Sequence, residues 1–572
     1  MQLNRHSSQH LQLPRWLAPV SLAVLVLGSS FTCLGNSWVQ DDVPIIKQNA
    51  LLHTLARPWT PFTQAYWPLG YSRDLYRPFT SLTLAIEWVT GGGHPLMFRI
   101  ISILLYMGTT FAVYRLARRL VSPGAAWLAA AWFAVHPLHA EAVAVAVNQA
   151  ELIVAGLLVL LMTAYIDRRR SGTPMTGGWI AAMTGGFAAA LLFKEHAILL
   201  PALMVAAELT VIRDPRPWRQ RVGTLRLLFL ALLLVAVAFV GVRTVVLHGN
   251  TKGSFTAEAL EGLGIGGRSL TMLGVVPTWF RLFVWPQHLR ADYSPQEIVA
   301  ATHWGVAQTL GAALLILTAA IAWMCRRTRP QVTFGILWSA IGISLVSNIP
   351  FATGIVVAER TLFLASIGVV IAGGDLLWSI GERIHAHSSV GRILVATGAA
   401  ILLAMGASRS ASRQMVWRDG ASLWFQTVID APLSYRAHHA YGSLLFEVKM
   451  EGSAEKEYRR AIQLYPEGIP VSIDLGDKYR VAGHCEPAIR EYQAVLRKLP
   501  NHISVRASEV ACLLYLGRYR EAAAEARLGA SYGYQPKSLA LYAEIADSAE
   551  RVHAPMHSIN LPPPVDSVPK RP

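Results

Sequence analysis

Ionisable side chains beside apolar stretches are the residues of this chain that could do chemistry. They comprise the acidic pair Asp41-Asp42, the mixed pairs Lys194-Glu195 and Glu359-Arg360, and a further cation, Arg77. A carboxylate can accept a proton from an incoming hydroxyl, and nearby cations can stabilise a departing phosphate. If the apolar stretches cross a membrane, charges at their ends are costly to keep there, so each is a functional candidate.

A second polar segment is His136-Pro137-Leu138-His139-Ala140-Glu141, and Glu151 follows it. The two histidines could bind a metal together with Glu141. However, His136 and His139 are three residues apart, His139 and Glu141 are two apart, and Pro137 kinks the chain between them. This spacing is poorly suited to a shared metal and favours a structural role through hydrogen bonds. A divalent metal beside Asp41 and Asp42 is a further alternative, although no recognisable ligand set accompanies that pair.

Each charged pair also has a structural explanation. The acidic pair could be a solvated turn in a long loop. The Lys194-Glu195 pair could snorkel at the ends of two helices, and the Glu359-Arg360 pair could be bonded internally or to the lysine turn. Each signal alone is weak, and it is their convergence that indicates a site.

Composition shows which elements must position these residues. The chain has 572 residues, of which 53% are hydrophobic and 15% are charged. An average soluble domain has about 25% charged residues, so one soluble globule is excluded. The net charge of +16 does not indicate a nucleic-acid partner, because the basic residues share no surface. Four cysteines are too few for a disulfide framework. The chain is therefore predicted to be a membrane protein.

Eleven apolar runs have about the length that a helix needs to cross roughly 30 Å of hydrocarbon. They lie at 17–35, 98–117, 123–140, 150–166, 178–193, 197–212, 224–246, 304–325, 332–350, 360–378 and 391–408. With residues 1–16 in the cytoplasm, the arginine clusters at 115–119, 168–170, 213–221 and 326–329 are cytoplasmic too. The charged pairs then all lie on the outer face. No small-x-small cleavage site follows the first run, which favours a span over a secretion signal.

Residues 270–286 are also apolar, but a crossing there would turn the arginines at 326–329 outward. We therefore expect an interfacial or re-entrant helix. Eleven spans leave the C-terminal part outside, so the chain is predicted to be a multi-pass protein of the cytoplasmic (inner) membrane with a periplasmic C-terminal part.

The C-terminal part repeats every 34 residues. Equivalent positions hold Gly442 and Gly476, Tyr458 and Tyr492, Pro466 and Pro500, and Ala454, Ala488 and Ala522. This period predicts tetratricopeptide helix hairpins at 435–468, 469–502 and 503–536 in a repeat region of 435–550, after a linker at 409–434. Cys485 and Cys512 fall here, and two buried free thiols are favoured over a disulfide. The Pro-rich tail, 551–572, is predicted to be disordered.

Several stretches resemble the transmembrane-and-tetratricopeptide O-mannosyltransferases, within the GT-C class of polytopic, lipid-linked sugar transferases. They are WVQDDVPIIKQN (38–49), YRPFTSLTLAIEW (76–88), FAVHPLHAEAVAVAVNQAEL (133–152), LLFKEHAILLPA (191–202), LRADYS (289–294) and VVAERTLFLASIG (356–368), with Trp417-Arg418-Asp419 before the repeats. The resemblance implies a GT-C-like domain over 1–408, with a first outer loop at 36–97. The short repeat array is what we expect of a bacterial relative.

By this resemblance Asp41 or Asp42 is the catalytic carboxylate, without a ranking between them. Lys194 and Arg360, with Arg77 as a weaker candidate, are implied to bind the donor phosphate. The supporting residues are His136, His139, Glu141, Glu151, Glu195 and Glu359. The family's arginine after the His-Pro motif is replaced by Gln149, which puts a basic role there in doubt.

The predicted function is transfer of mannose or a similar hexose from a polyprenyl-phosphate donor to Ser or Thr of exported proteins. The repeats would bind the protein or peptide acceptor. The alternatives are a non-catalytic assembly factor that works through the repeats, and sugar transfer to a lipid or glycan. The sequence leaves open the sugar, the acceptor and the oligomeric state.

Overall fold

A computed structural model describes residues 16–68, 71, 74–250, 256–385, 389–532 and 536–552. Over these residues the chain is all helix and turn, without a strand. The part up to Val416 holds α1 (Leu17–Ser30), α2 (Pro78–Thr90), α3 (Pro95–Leu120), α4 (Pro123–Ala134), α5 (Ala140–Ala144), α6 (Gln149–Arg170), α7 (Gly177–Phe193), α8 (Leu200–Leu209), α9 (Trp218–Val246), α10 (Ile265–Val284), α11 (Val306–Thr328), α12 (Pro330–Ser344), α13 (Phe363–His385) and α14 (Ser389–Val416). The predicted all-α membrane architecture is confirmed.

Seven helical segments of the described residues are long and apolar enough to cross a membrane. They are Leu17–Gly35, Pro95–Leu120, Ala146–Arg170, Trp218–Val246, Val306–Thr328, Glu359–Ile384 and Ile393–Val416. The chain is therefore a multi-pass membrane protein. The other four predicted spans contain the shorter helices α4, α7, α8 and α12, of 10 to 17 residues. At α4 the reason is local, because Pro137 begins a 3-10 turn soon after the helix ends.

The segment 270–286, predicted to be an interfacial or re-entrant helix, forms most of α10, which includes Pro277. It is not one of the seven long apolar segments of the described chain. This helix packs tightly on α11, where a Cβ on Gly311 would lie 2.0 Å from the carbonyl oxygen of Leu273. Small residues bring α12 and α13 equally close, since a Cβ on Gly368 would lie 2.1 Å from the oxygen of Gly335.

The predicted linker is largely helical. Helix α14 continues to Val416. Asp419 caps the N-terminus of α15 (Gly420–Asp430), and its carboxylate accepts a hydrogen bond from the Ser422 amide at 2.8 Å. These helices lead directly from the last apolar segment into the C-terminal region.

The C-terminal helices form consecutive hairpins. They are α16 (Tyr435–Glu447) with α17 (Glu451–Leu464), α18 (Ile469–Val481) with α19 (Cys485–Lys498), and α20 (Ile503–Tyr515) with α21 (Tyr519–Ser531), followed by α22 (Pro536–Val552). Glycine allows close packing within a hairpin, because a Cβ on Gly476 would lie 2.6 Å from Cε1 of Tyr492. Residues 553–572, most of the tail predicted to be disordered, lie outside the described residues.

Candidate active site

The acidic pair follows α1 and its 3-10 extension, at the start of the first loop, and the two carboxylates differ sharply. Asp42 is fully buried. Its oxygens accept hydrogen bonds from the Arg99 guanidinium at 2.9 Å and from the amides of Ala146 and Val147 at 3.2 and 3.0 Å. Asp42 therefore ties the loop to the start of α3 and to the turn before α6, and its carboxylate is fully engaged.

Asp41 is only partly buried, and among the described residues its carboxylate has no hydrogen-bond or ion-pair partner. Burial raises the pKa of Asp41, while the charges of Arg360 and Arg77 act in the opposite direction. The neighbouring carboxylates of Asp42 and Glu141 raise it further. Base catalysis at neutral pH requires a proton acceptor that has a raised pKa and oxygens available to an incoming hydroxyl.

Two cations, Arg360 and Arg77, act on this carboxylate, and Lys194 lies near both of them; each of the three is held by its own acid. Arg77, at the start of α2, donates from Nη2 to Glu195 Oε2 at 3.0 Å. Lys194, just after α7, donates from Nζ to Glu151, whose other oxygen contacts His196 Nδ1 at 3.2 Å. The third pair is Arg360 with Glu141: the Arg360 amide donates to Glu141 Oε2 at 2.9 Å and its guanidinium donates to Oε1.

The cation–acid pairs join segments that are far apart in the sequence. Burial lowers the pKa of Lys194, and Glu151 opposes this effect. Although burial works against it, the charge of Arg77 lowers the pKa of Glu195. Lysine has three donor hydrogens and arginine five, so a single acid partner leaves donors for a further anion. The cluster therefore has donors with which to hold an anion such as a phosphate.

The predicted supporting residues His136 and His139 do not face this cluster. His136 Nε2 contacts the Phe283 carbonyl oxygen at 2.9 Å. His139 contacts the Tyr106 hydroxyl at 2.8 Å through Nδ1 and the Ser366 hydroxyl at 2.9 Å through Nε2. Both rings are fully buried and serve to hold helices together.

Glu359 also points away from the cations. Its Oε1 accepts hydrogen bonds from the Tyr293 hydroxyl at 3.1 Å and from the Arg290 amide. The alternative in which Glu359 bonds Arg360 is therefore wrong, because packing gives Arg360 to Glu141 instead.

A metal does not fit the acidic pair. Asp42 already uses both oxygens, which leaves Asp41 as a single free carboxylate. Within the described ranges, no group of three or more His, Cys, Asp and Glu side chains is arranged to hold a metal ion. The His136, His139 and Glu141 set fails because each side chain is bonded elsewhere.

Sequence reasoning missed the residues that support Asp42. Arg99 is fully buried, and only the presence of a cation at the start of the apolar α3 could have indicated it. Close to it, Glu87 accepts a hydrogen bond from the Gln149 side chain at 3.0 Å, and burial raises the pKa of Glu87 to about 8. Gln149, where the family has arginine, therefore serves as a neutral donor to a buried acid.

A bridging segment, residues 289–297, connects the cluster to the hairpins. On one side Arg290 and Tyr293 bond Glu359, the residue before Arg360. On the other side its hydrogen bonds are Ser434 Oγ to Asp292 Oδ2 at 2.7 Å, Leu433 N to Glu297 Oε1 at 2.9 Å, Tyr435 N to Pro295 O at 3.1 Å and Gln296 N to Leu433 O at 2.6 Å. The first hairpin is thus fixed against the membrane domain.

Comparison with known proteins agrees with these motifs. Residues 79–240 match the family model described as dolichyl-phosphate-mannose-protein mannosyltransferase. Protein O-mannosyl-transferase F38B6.6 of Caenorhabditis elegans is 24% identical over 76% of this chain and 61% of its own length. Human protein O-mannosyl-transferase TMTC1 is 24% identical over 80% of this chain and 57% of its own. This chain therefore spans about 60% of the length of these relatives.

Among solved structures, the archaeal oligosaccharyltransferase AglB from Archaeoglobus fulgidus, in complex with an inhibitory peptide and a dolichol-phosphate, aligns with a TM-score of 0.42. The two share 13% identity, over 78% of this chain and 59% of AglB. The family-model match and the O-mannosyl-transferase relatives agree with the resemblance in the motifs: this chain is similar to the transmembrane-and-tetratricopeptide O-mannosyltransferases.

Proposed function

We propose that this chain is a membrane glycosyltransferase that moves a hexose from a polyprenyl-phosphate donor to a Ser or Thr hydroxyl of an exported protein. The reaction takes place on the non-cytoplasmic face, a location that the arginine distribution supports. The observation that supports it most is the difference within the acidic pair. Asp42 is hydrogen-bonded on both oxygens, whereas Asp41, near Arg360 and Arg77, has no such partner in the part of the chain that the structure describes.

Asp41 acts as the general base. The acceptor hydroxyl gives its proton to the Asp41 carboxylate while the hydroxyl oxygen forms a bond to the anomeric carbon. The bond from that carbon to the phosphate oxygen breaks, and its electron pair leaves with the phosphate. Attack from the side opposite the leaving group inverts the anomeric centre. Asp42 is a positioning residue, because its bonds to Arg99 and the Ala146–Val147 amides fix the turn on which Asp41 stands.

Lys194, Arg77 and Arg360 bind the donor phosphate. The leaving phosphate gains one negative charge as its bond to carbon breaks, so cations already in place stabilise the transition state more than the ground state. Their acid partners keep the side chains in position before the donor arrives. No nucleotide is required, because the sugar is already activated on the lipid.

The hairpins bind the acceptor polypeptide, and the bridging segment holds them at a fixed place relative to Asp41. This role is supported by the hydrogen bonds between residues 289–297 and Leu433, Ser434 and Tyr435. A rigidly held acceptor site lowers the entropy cost of bringing a hydroxyl to the base.

The test is sugar transfer by purified protein in liposomes, with polyprenyl-phosphate mannose and peptides from exported proteins. Asp41→Asn should lower the rate by about 100-fold or more, since a general base contributes that much. The matched control is Asp167→Asn, the same substitution in the exposed ion pair with Arg119. This variant should keep the parent rate.

Full activity of Asp41→Asn would refute the assignment of the base. If transfer were absent from the parent protein with every peptide, lipid and glycan acceptor tried, a scaffold role would replace the enzyme. In that case deletion of 435–536 would remove all function while Asp41→Asn would not.

A further inference from the structure

Two cysteines of the hairpin region meet across two neighbouring hairpins. Cys485 is the first residue of α19, and Cys512 lies in α20. Their Sγ atoms are 2.6 Å apart, and the side chains are 5% and 0% exposed. A disulfide bond is about 2.05 Å long, so these sulfurs need to move by roughly half an ångström to bond.

The surroundings favour bonding of the two sulfurs to each other over other uses of the thiols. A zinc site needs about four ligands, and the described residues place no third His, Cys, Asp or Glu with this pair.

We propose that Cys485 and Cys512 form a disulfide that joins the second and third hairpins. The proposal depends on the outer location of the hairpins, which the proposed function shares, and not on catalysis. Disulfides form and persist in such oxidising compartments. In the structure both cysteines are buried free thiols, as the sequence predicted. The proposal goes one step further, because residues 27 positions apart place their sulfurs in contact.

The oxidant is a protein disulfide of the thiol-oxidising oxidoreductase class. The Cys485 thiolate attacks one sulfur of that disulfide and releases the other as a thiolate. The Cys512 thiolate then attacks the Cys485 sulfur of the mixed disulfide, so the Cys485–Cys512 bond forms as the bond between Cys485 and the oxidant breaks. The oxidant leaves as a dithiol with two electrons and two protons. Because both thiols are buried in the folded hairpins, this exchange precedes the packing of α19 on α20.

The test uses the full chain, extracted from membranes with N-ethylmaleimide and no reductant, then denatured in the same reagent and digested. Mass spectrometry should find the Cys485 and Cys512 peptides joined, with two hydrogens fewer than the separate thiols. Cys33 and Cys325 are internal controls and should carry the reagent. Recovery of Cys485 and Cys512 as maleimide adducts would overturn the proposal.

A second measurement separates the bond from the location. In the Cys485→Ser, Cys512→Ser background, Val448→Cys puts a thiol at a position that is 65% exposed on the first hairpin. A membrane-impermeant maleimide applied to intact cells should label it. Labelling without the joined peptides would refute the disulfide alone, whereas no labelling would refute the outer location on which both proposals depend.

Discussion

Replacing Asp42 by Asn tests whether Asp42 is the structural carboxylate of the pair, and the test measures stability instead of rate. The substitution keeps the size of the side chain and removes the negative charge that faces Arg99. Both side chains of this pair are 0% exposed, and the N–O distance is 2.9 Å. The amides of Ala146 and Val147 would also face a poorer acceptor.

The magnitude follows from burial. Removing one partner of a buried ion pair costs about 3–5 kcal/mol, because the other charge stays in the interior without compensation. Here the cost should reach that range, since Arg99 has only the Ser37 carbonyl as another hydrogen-bond partner and its Nε and Nη1 have none among the described residues. An exposed pair such as Arg119–Asp167, 40% and 37% exposed, contributes about 1 kcal/mol or less.

The assay is equilibrium unfolding in mixed micelles with increasing sodium dodecyl sulfate. Asp42→Asn should be strongly destabilised, while Asp167→Asn and Asp41→Asn should unfold close to the parent. Adding Arg99→Met to Asp42→Asn should restore part of the loss, as a double-mutant cycle requires for coupled charges. Parent-like stability of Asp42→Asn, or equal destabilisation by Asp41→Asn, would contradict the assignment of the structural and the free carboxylate.

Three further predictions concern pH and packing. Burial raises the pKa of Asp41, so the transfer rate should fall on acidification at a pH above the value of about 3.9 for an exposed aspartate; a midpoint at or below that value in initial-rate measurements would contradict this. Burial raises the pKa of Glu87 from 4.5 to about 8, so the folded state retains a proton that the unfolded chain releases, and stability falls as pH rises between these values. The stability of Glu87→Gln should therefore lack this pH dependence, and at pH 8 the variant should be more stable than the parent. An unchanged pH dependence would contradict the argument. Gly476→Ala should cost about 1–3 kcal/mol because its Cβ would overlap the Tyr492 ring, whereas Gly452→Ala, with no atom within 4 Å, should be neutral or stabilising in the same equilibrium-unfolding assay; equal effects would refute the packing argument.

Much of the fold could be predicted because its signals are local. Apolar runs such as 98–117 and 224–246 lie inside the long helices α3 and α9, since hydrocarbon thickness sets run length directly. The four shorter helices could not be distinguished from full spans, because an apolar stretch such as 123–140 continues through the break after α4. Hydropathy does not show where a proline turn interrupts the helix.

Only part of the candidate site could be predicted from the sequence. Residue type and proximity to apolar runs were enough to select Asp41, Asp42, Lys194 and Arg360. They could not show which acid each cation bonds, and the pairing of Arg360 with Glu141 joins residues 219 positions apart. Arg99 and Glu87 went unnoticed, since each is a lone charge without a nearby partner in the sequence.

The sequence by itself determined the membrane architecture, the 34-residue period and the inventory of charged groups, because each depends on composition or spacing along the chain. Only the tertiary structure decided that Asp42 is bonded, whereas the carboxylate of Asp41 has no hydrogen-bond partner within the described ranges. The two residues are neighbours of the same type, and they differ only in what α3 and the turn at Ala146–Asn148 bring to them. The bonding of a side chain depends on contacts between distant segments, which packing creates and a local pattern does not record.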